Sequence, residues 1–145
     1  MRDILFKAKR LDNGKWVRGG TIVQFMDNGE HSVYIPAFGK SCDTAYEEKT
    51  ENILGFSNCV FYKVDPETVC QYSGLSDQAG NMIHENDIMK FKGYTGDFVG
   101  VVRVKSGNFE LHCDSASPFL DDAILKHGAV KIGNVFDNPG LLKEV

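Results

Sequence analysis

TVCQYSGLSDQAGNMIHENDIMKF, Thr68 to Phe91, sets two strand-like patterns around turn chemistry dense enough to fix a backbone path. Thr68 to Tyr72 reads as a strand, and Ser76-Asp77-Gln78-Ala79-Gly80 reads as a turn. Asn86 can take the left-handed backbone that a turn before Asp87 requires, because Asn tolerates that region better than other residues with a Cβ. The apolar members Val69, Ile83 and Ile88 are assigned to packing. The stretch therefore reads as architecture: it ends one β unit and launches another.

Period-two apolar patterning continues to both sides. Upstream, residues 4–10 (ILFKAKR) and 15–25 (KWVRGGTIVQF) face each other across Asp12-Asn13-Gly14, whose Asn-Gly takes the positive φ of a hairpin. A second turn, Asp27-Asn28-Gly29, precedes HSVYIPAF, where Pro36 limits pairing, so the third strand of this meander is expected at or near an edge. Residues 40–57 are read as a loop or a short helix, with Thr44-Ala45-Tyr46-Glu47 fitting a capping box and Gly55 a stop. Cys59 to Val64 is the next strand, and Asp65-Pro66-Glu67 the turn after it.

Downstream, DIMKFK (residues 87–92), FVGVVRVK (98–105) and residues 109–113 form a second meander, turning at GYTGD and at Ser106-Gly107-Asn108. A bulge is expected near Gly100. Ser117-Pro118 opens a helical turn with Asp121 and Asp122 near its start, Gly128 closes it, and Ala129 to Phe136 is the last strand, ended by Asn138-Pro139-Gly140. The fold class is mainly β: an N-terminal β-meander unit over residues 1–67, and a small SH3-like barrel over residues 68–145, closed by borrowing residues 68–72.

The chain has 145 residues, 42% hydrophobic and 25% charged, which is ordinary globular composition. It holds no run of eighteen apolar residues, and the apolar segment of MRDILFKAKRL is too short and interrupted for a signal peptide, so the expected place is the cytoplasm, with no membrane partner. Cys42, Cys59, Cys70 and Cys113 include no CxxC pair, and the His residues no HxxxH, so neither a metal nor another cofactor is called for. The net charge of -4 is uneven. Residues 1–26 are basic, residues 27–88 strongly acidic with a cluster at 43–51, and residues 89–111 mildly basic. Nucleic acid would have to use the first hairpin or Lys90 to Lys105.

Two groups of residues are candidates for function. His84, Glu85 and Asp87 place an imidazole beside two carboxylates, the types a general base and its orienting partner require, although alternation sends His84 and Glu85 to opposite faces. Turn capping by Asp87 is the competing structural role. Lys90, Lys92, Arg103 and Lys105, with Tyr94 and Phe98, interleave cations and aromatics as single-stranded nucleic-acid platforms do. Here the competing roles are a solvated strand face and, for Phe98, a place in the core. The glycines of KGYTGDFVG match no phosphate-binding loop.

With these residues placed, the chain resembles the YopX family of bacteriophage and prophage proteins. The resemblance is carried by FKAKRLDNGKWVRGGTIV (6–23), VDPETVCQYSGLSDQAGNMIHENDIMKF (64–91) and VKIGNVFDNPGLL (130–142). Where the family usually has Gly, this chain has Cys70 and Asn86. The resemblance implies a β-rich fold with an SH3-like C-terminal part and action inside a bacterial host, and it brings no catalytic residues with it. The functional expectation is a non-enzymatic accessory module that contacts an unknown host or phage macromolecule. The alternatives are an enzyme or nucleotide binder using His84, Glu85 and Asp87, and a single-stranded nucleic-acid binder at residues 90–105. Edge strands also permit a homo-oligomer.

Overall fold

The computed structural model describes residues 4–27, 29–38 and 59–142. The loop or helix expected at 40–57, the capping box at Thr44, the acidic cluster at 43–51 and Cys42 lie outside the described residues. The chain divides into two compact units between Cys70 and Gln71. It is mainly β, with several antiparallel sheets, a single α-helix among the described residues and short 3-10 turns.

In the first unit, β1 (Phe6–Lys9) and β2 (Trp16–Gly19) form the expected hairpin, with Lys9 opposite Trp16. Gly14 takes φ +69°, and the Asn13 side chain accepts a hydrogen bond from the Lys15 amide at 2.9 Å. The expected continuous strand 15–25 is instead two. The chain leaves β2 at Gly19-Gly20, and β3 (Val23–Asp27) pairs with β4 (Glu30–Phe38), which in turn pairs with β5 (Cys59–Val64). The break sits where a Cβ on Gly19 would lie 2.6 Å from Ile35 Cγ2, so β2 packs closely against β4. β4 is therefore the central strand of this sheet and not an edge. Pro36 is tolerated there because pairing with β3 ends at Tyr34, leaving no partner for the amide hydrogen that proline lacks. Ala8, Val33, Ile35 and Val64 form the core. A 3-10 turn at Pro66–Thr68 follows, where Thr68 Oγ1 accepts from the Lys9 amide and donates to the Asp65 carbonyl, both at 2.8 Å.

In the second unit, β6 (Cys70–Ser76) pairs with β7 (Met82–His84) across an irregularity between Tyr72 and Ser76. Next comes a four-stranded antiparallel sheet in the order β10 (Asn108–His112), β9 (Gly96–Lys105), β8 (Asp87–Gly93), β11 (Val130–Asn134). Its strand pairings do not close on themselves among the described residues. Ser106 and Gly107 both take positive φ, +52° and +80°, which makes the β9–β10 link a two-residue hairpin turn. Met89, Phe91, Val102 and Leu111 point to one face of the sheet and form the core with Leu120, Ala123 and Ile124 of α1 (Leu120–His127). The i, i+3, i+4 spacing of those three is the apolar stripe of an amphipathic helix.

Several boundaries differ from those the sequence suggests: β6 runs on to Ser76, the residue expected to open the turn, and starts after the 3-10 turn that takes Thr68, and β9 starts at Gly96 and not at Phe98. The helix begins after Pro118 and not at it, because residues 116–119 run along the edge of β10: Leu111 and Cys113 donate to the carbonyls of Pro118 and Ala116, and Phe119 bridges Glu110. The close at Gly128 is as read, with φ +62° and bonds from the Gly128 and Ala129 amides back to Ile124 and Ala123. The last strand is shorter than 129–136, with its bulge between Lys131 and Gly133.

No bulge occurs at Gly100, which sits in unbroken register opposite Met89. It is glycine because a Cβ there would lie 2.6 Å from Cys113 Sγ and 2.8 Å from the His112 carbonyl oxygen. Gly100→Val should therefore destabilise the protein by about 1 to 3 kcal/mol through overpacking. Urea unfolding would measure this, and an unchanged midpoint would show that strand β10 yields freely.

Candidate functional site

The local turn fixes His84, Glu85 and Asp87. Asn86 takes φ +67°, donates its amide to the Val102 carbonyl at 2.8 Å and accepts from the Val135 amide at 3.0 Å. Asp87 is fully buried, and its Oδ2 accepts from the His84 amide at 2.7 Å, closing the turn from its far end. The same oxygen lies 3.4 Å from Lys131 Nζ on β11. Glu85 is half-buried; its amide donates to the Gln71 carbonyl at 2.9 Å, and its Oε1 accepts from the Gln71 amide at 3.1 Å. His84 is fully buried, with its ring 5.3 Å from that of Tyr72. The three residues are neighbours in space, but each carboxylate engages backbone amides and the imidazole faces protein.

Asp77 is a further carboxylate, in the turn expected at residues 76–80. It is buried, and its Oδ1 accepts from the amides of Ala79 and Asn81 at 3.0 and 2.8 Å. Its Oδ2 accepts from Asn81 Nδ2 at 3.1 Å and from the Lys131 amide, 54 residues away, at 2.9 Å. Burial pushes its pKa up, but the bonds from Lys131, Asn81 and Ala79 outweigh burial and hold the carboxyl below the usual range. The local Asx turn was legible from Asp77-Gln78-Ala79-Gly80. The bond to Lys131 left no trace in spacing.

The cation candidates share one face of the four-stranded sheet, opposite the core. Lys90 stands across from Val99 and Lys92 across from Asp97, while Arg103 and Lys105 follow on alternate positions of β9. All four are exposed. Lys90 Nζ pairs with Asp97 Oδ2 at 3.3 Å, whereas Lys92, Arg103 and Lys105 hold no ion pair among the described residues. The four do not cluster. Lys105 is eight positions along β9 from the partner of Lys92, about 26 Å, with the buried Val101 between. Tyr94 is fully exposed in the turn beside Lys92. Phe98 is on the core face, stacked on Phe91 with ring centroids 5.3 Å apart, so it belongs to packing.

The core face carries a feature the sequence reading missed. An open groove of about 370 Å³ is lined by Ser73, Leu75, Asn108, Phe109, Phe119, Leu120 and Asp121. Its residues come from β6, β10 and the start of α1, three segments brought together only by the fold. The single local signal was Phe119, a large apolar residue between a proline and two aspartates.

Among the described residues, no group of three or more metal-ligating side chains converges, and no helix is long and apolar enough to cross a membrane. The Cys113 thiol is pushed up by burial first and by the Asp114 carboxylate second.

Asp77 sets a testable pH dependence. The native carboxyl holds its proton less tightly than the unfolded one, so its stabilisation is present above the unfolded pKa of about 3.9 and is lost as pH falls through the lower native value. Asp77→Asn should cost about 1 to 3 kcal/mol at neutral pH by leaving buried donors poorly matched. It should also flatten the loss of stability below about pH 4. Urea midpoints measured from pH 7 to pH 3 give both, and parallel curves for the two proteins would contradict the assignment.

A family model described as YopX protein matches residues 5–143. The crystal structure of protein EF1440 from Enterococcus faecalis is similar, with a TM-score of 0.54 at 17% identity, covering 98% of this chain and 99% of that one. At that identity the likeness is one of fold. No curated protein matches the chain.

Proposed function

The chain belongs to the YopX protein family, and from that premise we propose that it is a non-enzymatic accessory module of phage or prophage origin, acting in the cytoplasm of a bacterial host by contact with a macromolecule. One observation carries the reading: the His84, Glu85 and Asp87 side chains are committed to the turn and the core. A general base must come within hydrogen-bond reach of a substrate proton. A fully buried imidazole packed against Tyr72 offers no such approach. The C-terminal unit is read as a relative of small SH3-like barrels, a class of fold that serves many unrelated contacts, so its function lies in its surfaces.

Purification of the tagged chain from a prophage-bearing host should retain a partner in fixed proportion, identified by mass spectrometry and by nucleic-acid sequencing. An activity of the purified protein that falls with Glu85→Gln would overturn the reading in favour of the enzyme or nucleotide binder.

A second reading, a single-stranded nucleic-acid binder, is favoured by the shared face of Lys90, Lys92, Arg103 and Lys105. On this reading a labelled oligothymidylate binds at low salt and weakens as salt rises, since phosphate contacts release counterions. Charge reversal of Lys92, Arg103 and Lys105 together should abolish the binding. Anisotropy that stays flat with the native protein at about 20 mM salt would remove this reading.

A further inference from the structure

We propose that the groove between β6, β10 and the start of α1 takes a partner peptide that inserts one apolar side chain and sets a lysine or arginine beside Asp121. The proposal rests on the binding-module reading and names the partner's chemistry. The groove walls are Leu75, Phe109, Phe119 and Leu120, and its volume of about 370 Å³ lies in the range of ligand sites. Phe119 is 56% exposed and lines the groove. An aromatic held half out of water beside a groove is the kind of anchor that binding surfaces use.

Charge decides the class of partner. The lining holds one carboxylate and no cation. Asp121 is exposed and spends Oδ1 on the Asp122 amide at 2.8 Å, and it forms no ion pair among the described residues, whereas Asp122 is paired with Lys126 at 3.4 Å. The carboxylate repels a phosphate backbone, and Lys90, Lys92 and Arg103 lie on the opposite face of the sheet, with Lys105 across from Asn108 at the hairpin end. A basic flank on the ligand is attracted. Ser73 at the base already donates to the Ile83 carbonyl at 2.6 Å and accepts from the Leu75 amide at 3.1 Å, so the floor asks for an apolar group and not a polar one. The groove is open to solvent, which suits a side chain of a passing peptide better than a compact ligand needing enclosure.

The test is an array of immobilised octapeptides with a central Leu, Phe or Trp flanked by Lys and Arg, beside the same centres flanked by Asp and Glu, probed with the full chain. Basic-flanked peptides should be retained and acidic-flanked ones not. Phe119→Ala should weaken the best peptide by roughly tenfold or more, and Asp121→Lys should move the preference toward acidic flanks. Both positions are exposed, and circular dichroism would verify that the variants fold. Equal retention of both sets, or retention indifferent to both substitutions, overturns the proposal. So does light scattering that shows a dimer lost on Phe119→Ala, since a second copy would then be the occupant. If a partner captured from the host stays bound to both variants, the groove assignment fails while the binding-module reading stands.

Discussion

Lys131 is held twice by buried carboxylates of one stretch of chain. Asp77 takes its backbone amide and Asp87 its ammonium, at 2.9 and 3.4 Å. The first bond fixes the turn after β6 against β11, and the second fixes the turn that launches β8 against the same strand. A carboxylate buried without such partners would cost several kcal/mol, so the two turns and β11 stabilise one another or fail together. Two of the three stretches that carry the family resemblance, 64–91 and 130–142, are joined by these contacts.

That constraint also bears on function. Asp87 belongs to a His-carboxylate cluster with the composition of an acid-base site, but residue types in sequence do not set their availability. Once Asn86 adopts φ +67°, the Asp87 carboxylate comes back within reach of the His84 amide, and the imidazole turns toward Tyr72. What remains accessible is surface: a cation-bearing face on one side of the four-stranded sheet and an apolar groove with one carboxylate on the other. Sheet alternation separates the two, sending successive side chains to opposite faces.

Legibility followed the range of the interactions. The hairpins at Asn13-Gly14 and Ser106-Gly107, the stop at Gly128 and the capping role of Asp87 could be read because each depends on backbone preferences within a few residues. The split of residues 15–25 could not, since it answers to Ile35 packing on Gly19. Nor could the central place of β4, which depends on where β3 stops pairing. Local grounds give a bulge near Gly100, but the reason for glycine there is Cys113, just past the end of β10, with the His112 carbonyl oxygen beside it. Of the candidate sites, the four cations were legible as sharing alternation within each strand, but their spread along the sheet required the register between strands.

By itself, then, the sequence determined the β class and the positions of most strands and turns, which arise from local steric preference and period-two patterning, and three of its stretches carried the family. Tertiary structure alone decided that Asp77 reaches Lys131, that His84 is closed from solvent and that Leu75, Phe109 and Phe119 line one groove. Those outcomes join residues tens of positions apart, and only chain packing, where buried polar groups must find partners and apolar faces must find cover, selects which of them meet.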